Sequence, residues 1–271
     1  MKHITGIVAL LLSLSLLAAC TSQGQSYDPP AEEPDVSPVS GTEGEITCAD
    51  PPVSALFRIV DGAEQGNLLL AALEGSAAGV GNVFRLGTAD LEIYQDRQKM
   101  DPSALKDGMT VEINWRGDIL ETYPAQWSNV ILVEIKDGTD DLCGLYLQVL
   151  EDLWSVDPGL NTGITELGVD LSGLTDLSES EKAAVAWRFG ELHGLSPIQG
   201  TFEELCEQGY IDRENLYWED GCLFSLTGSA EGGFDAEKWR SGLGAYFFCD
   251  CSARMAKDGI WSYTVGSEAI S

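Results

Sequence analysis

Histidine is almost missing from this chain, which carries only His3 and His193. A site built on several histidines is therefore excluded, and any histidine-dependent triad must pass through His193. Basic residues are scarce as well: 15 Lys plus Arg stand against 44 Asp plus Glu, for a net charge of −29. Nucleic-acid binding draws its affinity from Lys and Arg set against phosphate, so no nucleic acid is expected as a partner. The serine-nucleophile elbow, the Walker loop and the H-E-x-x-H zinc helix are all lacking. Gly79-Val80-Gly81 and Gly242-Leu243-Gly244 begin like dinucleotide loops, but Phe84 and Phe247 stand where the third glycine belongs. The expected cofactor set, metal set and catalytic set are therefore each none.

One long apolar run exists, from Ile4 to Ala19, after Lys2 and before Cys20. A short positive start, an apolar stretch and small residues describe an export leader, and the run is too short to span a bilayer. Leu17-Ala18-Ala19-Cys20 resembles the lipobox of bacterial lipoproteins, in which the cysteine is diacylated and becomes the first mature residue. The resemblance implies residues 1–20 as signal peptide and Cys20 as the lipid (palmitate-type) attachment. The protein would then sit on the extracytoplasmic face of a cell membrane, with that membrane as its partner through the anchor.

Residues 21–45 hold four prolines, Pro29, Pro30, Pro34 and Pro38, with six acidic residues and no Lys or Arg. Such a segment cannot bury enough surface to offset its ordering entropy. It reads as an acidic, disordered tether reaching roughly 25 to 30 Å.

Apolar residues at 44% leave enough for a core in the remainder of the chain. Residues 46–138 read as short strands: Leu56–Val60, Asn67–Leu73, Asn82–Leu86, Leu91–Tyr94, Met109–Trp115 and Asn129–Ile135. Asp101 and Pro102 predict one helical turn between them, as N-cap and first helical residue. This order describes a small β-barrel. Residues 139–271 open with an amphipathic helix over Leu142–Trp154, begun at Asp140 and Asp141. Capping boxes at Ser178/Glu181 and Thr201/Glu204 start two more helices, ending near Gly194 and Gly209. Strands come next at Cys222–Thr227, Gly244–Arg254 and Ile260–Val265, the last two joined across Lys257-Asp258-Gly259, with another at Ile164–Leu171. Helices first and strands later predict an α+β domain with helices packed on an antiparallel sheet.

The segments MTVEINWRGDILETYP with AQWSNVILVEI, AEKWRSGLGAYFF, and DGIWSYTVGS resemble uncharacterised lipoproteins of clostridia-like Gram-positive bacteria. That resemblance implies an OB-like first domain and a second domain to which no activity is attached, so it supplies no catalytic residue.

With Cys20 assigned to lipid, Cys48, Cys143, Cys206, Cys222, Cys249 and Cys251 remain as disulfide candidates, export permitting oxidation. Period two places Cys249 and Cys251 on one face of a strand, about 6.5 Å apart, too far for a mutual bond. Cys222 or Cys206 is the expected partner of one of them, and Cys48 with Cys143 flanks the first domain. No C-x-x-C knuckle favours zinc. Asp157–Gly168 resembles a calcium loop, yet Thr162 and Gly168 replace its turn glycine and bidentate glutamate. His193 falls in a last helical turn, where a cation complements the dipole. Trp218, Trp239 and Arg240 form an aromatic and basic group that could bind a sugar or an anion. The leading expectation is a non-catalytic binding or structural envelope protein, its ligand a glycan or a protein. The alternative is a hydrolase of envelope or extracellular glycans working through carboxylates alone.

Overall fold

The run Leu68-Leu69-Leu70-Ala71-Ala72 is buried at every position, which an antiparallel strand with one wet face would not show. A computed structural model, describing residues 51–73 and 82–271, supplies the reason: this strand is covered on both faces. The leader, Cys20, the tether, Cys48 and the Gly79–Gly81 loop lie outside the described residues. The described residues fall within one compact unit, Cys48–Ser271.

The first half holds β1 (Val53–Asp61), β2 (Asn67–Ala72), β3 (Val83–Gly87), β4 (Ile93–Gln95), β5 (Gln98–Met100), β6 (Met109–Trp115), β7 (Ile119–Leu120), β8 (Gln126–Trp127) and β9 (Val130–Thr139). A 3-10 turn, Pro102–Ala104, sits between β5 and β6, its Asp101 cap accepting from the Ser103 amide. Seven of these strands form a sheet in the order β3-β2-β1-β6-β9-β4-β5, with β4 parallel to β9, and β7 pairs β8. On one face Phe57, Phe84, Trp115 and Trp127 make an aromatic cluster with Ile59, Leu68 and Leu70.

The second half holds α1 (Leu142–Ser155), β10 (Glu166–Leu174), α2 (Glu179–Leu192), β11 (Pro197–Gln199), α3 (Phe202–Glu207), β12 (Gly221–Ser229), β13 (Gly233–Ser241), β14 (Gly244–Met255), β15 (Trp261–Thr264) and β16 (Ser267–Ile270). Both capping boxes form, at Ser178 and at Thr201. The sheet runs β11-β10-β12-β13-β14-β15, and β16 also pairs β14. Helices α1 and α2 pack against strands of both sheets. Their apolar faces join Val60, Leu69, Ala71 and Val83 of the first sheet to Leu167, Phe224, Phe234 and Phe248 of the second in one core.

Two fold expectations are corrected. The OB-like barrel is absent among the described residues: the first sheet is open, with β3 and β5 at its ends. Its outer face needs no closure because α1 and α2 cover it. The α+β layout with helices on an antiparallel sheet also fails, since strands take 47% and helices 17% of the described residues, which are mainly β. The second sheet is mixed, β10 running parallel to both β11 and β12. The sequence reading missed β5, β7, β8, β11, β13 and β16. Five of these have two to four residues, too few to show a period, and β13 carries a lysine at an inward position.

Candidate functional site

Three turns meet at the start of α1, and glycines make the meeting possible. Gly108 has φ +81, and a Cβ there would lie 2.6 Å from the Asp141 nitrogen. Gly259 has φ +84, and a Cβ there would lie 2.0 Å from the Thr139 oxygen. Backbone bonds lace the turns together: Asp140 N donates to Gly108 O at 3.0 Å, and Asp141 N to Gly259 O at 2.9 Å. The Asp107 carboxylate is thereby carried to the neighbourhood of Asp141, beside the loop after β1.

A cleft of about 770 Å³ opens here, lined by Glu64, Gln65, Thr88, Ser103, Lys106, Asp107 and Asp141 among others, with Ile260 at its side. Each aspartate is held by a backbone amide: Ala63 N donates to Asp107 Oδ1 at 3.0 Å, and Gly144 N to Asp141 Oδ1 at 3.1 Å. Burial pushes the Asp107 carboxyl up. Burial also lifts Asp141, to about 6, against the Gly144 amide that favours its charged form, while Asp107, Asp140 and Asp61 add repulsion. Arg188 Nε lies 2.5 Å from Asp61 Oδ2 without the alignment of a hydrogen bond, and Arg58 donates to Gly108 O at 2.8 Å.

Two desolvated carboxylates beside hydroxyl and amide groups can accept hydrogen bonds from a polyhydroxylated or amine-bearing ligand. Asp141, lifted to about 6, is also placed to exchange a proton at mildly acid pH. Among the described residues, no group of three or more His, Cys, Asp or Glu is arranged to hold a metal ion.

Neither aspartate was picked out for function from the sequence, although one signal was present. Lys-Asp-Gly occurs three times, at 106–108, 136–138 and 257–259. All three glycines have positive φ, and two of them converge on Asp140 and Asp141.

The residues that were picked out lie elsewhere. Trp218 is 1% exposed, its indole N–H donating to Glu166 Oε2 at 2.6 Å. Trp239 packs in the same small cluster, edge-on to Phe202 at 5.0 Å. Arg240 donates to the carbonyls of Leu160, Thr162 and Glu219. The three are brought together, but as a packed and hydrogen-bonded group. His193 caps α2, stacks on Trp154 at 3.7 Å and bonds Glu151 at 2.9 Å.

Cys143, Cys206, Cys222, Cys249 and Cys251 are free thiols in the structure. Burial raises Cys222 to about 12 and Cys251 to about 11. The expected shared face of Cys249 and Cys251 is broken by a bulge at Asp250, which has φ +52. Cys251 turns inward opposite Phe234, while Cys249 lines a small hollow with Glu237 and Phe247.

The loop after α1 also differs from a metal loop. Lys238, 0% exposed, reaches from β13 to donate to the carbonyls of Val156 and Asp157 (3.2 Å for the latter) and to Asn161 Oδ1 at 2.9 Å. Burial lowers its pKa. The calcium-loop resemblance over Asp157–Gly168 thus meets a tethered ammonium.

No helix among the described residues is long and apolar enough to cross a membrane. No family model matches the chain, and neither the curated proteins nor the solved structures contain a match to it.

Proposed function

We propose that this chain is an extracytoplasmic lipoprotein, acylated at Cys20 and held off the membrane by residues 21–45, that binds a polar envelope ligand in the Asp107/Asp141 cleft. A glycan is the ligand class that suits the site. The carrying observation is the pair of half-buried carboxylates, kept at an energetic cost beside about 770 Å³ of open space. Perturbed titratable groups lining a cleft are a mark of sites selected for binding or chemistry. The lipobox resemblance and the acidic body supply the compartment and argue against nucleic acid.

A second reading is favoured by one observation. A carboxyl raised to about 6 beside another carboxylate suits general-acid hydrolysis of a glycosidic bond. Titrating the full chain with soluble envelope glycan fragments separates the readings. Saturable binding that weakens about tenfold or more in Asp107→Asn supports the binding protein. New reducing ends released by the parent chain but not by Asp141→Asn would move it to the hydrolases. Binding unchanged in the double variant would remove the cleft from consideration, and absence of acyl label on Cys20 would remove the anchor.

A further inference from the structure

At the β13–β14 turn of the second sheet and the loop bridged to it, large apolar side chains stand in solvent. Leu243, at the tip of the β13–β14 hairpin, is 92% exposed; Leu216 and Tyr217 are 46% and 43% exposed. Together they line a shallow hollow of about 530 Å³. Leu216 has φ +49, a backbone region that leucine rarely adopts. The loop that presents it is laced by hydrogen bonds. Tyr217 and Asp212 exchange backbone bonds at 3.2 and 2.9 Å, and Gly242 N donates to Leu216 O at 2.8 Å. Asp212 binds the Glu214 and Asn215 amides, both at 3.0 Å. The backbone that carries Leu216 and Tyr217 is thus tied down without a partner, which lowers the cost of ordering it on binding.

Tyr217 also lines a second, polar hollow of about 330 Å³ with Tyr210, Glu166, Glu219 and Asp220, and no Lys or Arg lines it. Glu166 is engaged by Trp218 and Asp212 by its own loop. That leaves Glu219 and Asp220 to meet an incoming cation, with a tyrosine ring between them and the apolar patch.

We propose that this surface docks an extended segment of a partner protein in which lysine or arginine alternates with large apolar residues. The basic groups enter the acidic hollow beside Tyr217, and the apolar ones cover Leu216 and Leu243. Charge complementarity chooses this occupant: a bare apolar tip would suit a lipid surface, but the carboxylates beside it repel anionic headgroups.

The test is fluorescence anisotropy of the full chain with a labelled peptide of alternating lysine and leucine. An all-lysine peptide and a glutamate–leucine peptide serve as probes of each half of the requirement. Binding of the lysine–leucine peptide, weakened about tenfold or more by Leu243→Asp and again by Glu219→Gln with Asp220→Asn, supports the proposal. Leu243 is so exposed that Leu243→Asp should keep the parent circular dichroism, and the acid-to-amide pair serves as an independent variant. Equal binding of the all-lysine peptide, or indifference to Leu243→Asp, would reduce the effect to general attraction by an acidic protein and overturn it. Leu243-dependent partition onto phosphatidylcholine vesicles, measured in a Cys20→Ala background without peptide, would overturn it in favour of a lipid surface.

Discussion

Asp141 does two jobs that conflict. As N-cap of α1 it accepts from the Gly144 amide, which favours a charged carboxylate. As a wall of the cleft it is half-buried beside Asp107, Asp140 and Asp61, which disfavours one, and the balance lifts it to about 6. A carboxyl raised on folding stabilises the fold fully below its unfolded value near 4 and loses that contribution as pH climbs through about 6. At neutral pH the charged Asp141 is therefore a liability. Asparagine caps a helix as well as aspartate does and carries no charge. Asp141→Asn should raise stability at pH 7 by about 1 kcal/mol, the full shift being discounted for partial solvent exposure. It should also flatten the stability profile between about pH 4 and 6. Urea unfolding across that range measures both, and a variant less stable than the parent at pH 7 would mean the cap outweighs the repulsion.

Elements were legible where their signals are local. The three α-helices among the described residues appear where capping side chains announce them, at Asp141, Ser178 and Thr201. The strands rich in apolar residues appear as well. Strand β13 was hidden, because Phe234, Ala236 and Lys238 form its inward face and the lysine breaks the apolar alternation. Pairing order stayed out of reach, since nothing in β10 alone says that its neighbours run parallel to it. The cleft was hidden for the same reason: Asp107 and Asp141 meet only through contacts between turns distant in sequence. Lys238 is more than an exception, because it ties the middle of β13 to the carbonyls that end α1. Val156 O and Asn161 Oδ1 lose this donor with the ammonium, whereas Asp157 O keeps the Leu160 amide at 3.1 Å. Lys238→Met keeps the stem and removes the charge, and it should cost about 3 kcal/mol, since stranded buried acceptors are expensive. A denaturation midpoint corresponding to a loss under about 1 kcal/mol would show that water enters and satisfies the loop.

At the scale of the molecule, the two sheets depend on the same helices. Val60, Leu69, Ala71 and Val83 of the first sheet are buried in the core that contains Tyr146, Val149, Val185 and Phe189 of α1 and α2. The scarce arginines reinforce that junction: Arg58 pairs with Glu181, Arg188 with Asp61, and Arg85 with Glu191. These bridges are partly buried and form a set, so they fix the docking of α2 more than isolated surface pairs would. A chain cut after residue 138 would expose one whole face of β2. Such a fragment keeps the aromatic cluster of Phe57, Phe84, Trp115 and Trp127 but has nothing to cover Leu69 and Val83. The full chain should therefore unfold in one step, with tryptophan fluorescence and far-ultraviolet circular dichroism giving coincident urea curves. Fragment 46–138 should show no cooperative transition, because burial on one face alone leaves too little to offset its ordering entropy. Two separated transitions in the full chain, the first half persisting through the loss of the second, would show that the shared core is a contact between independent folds.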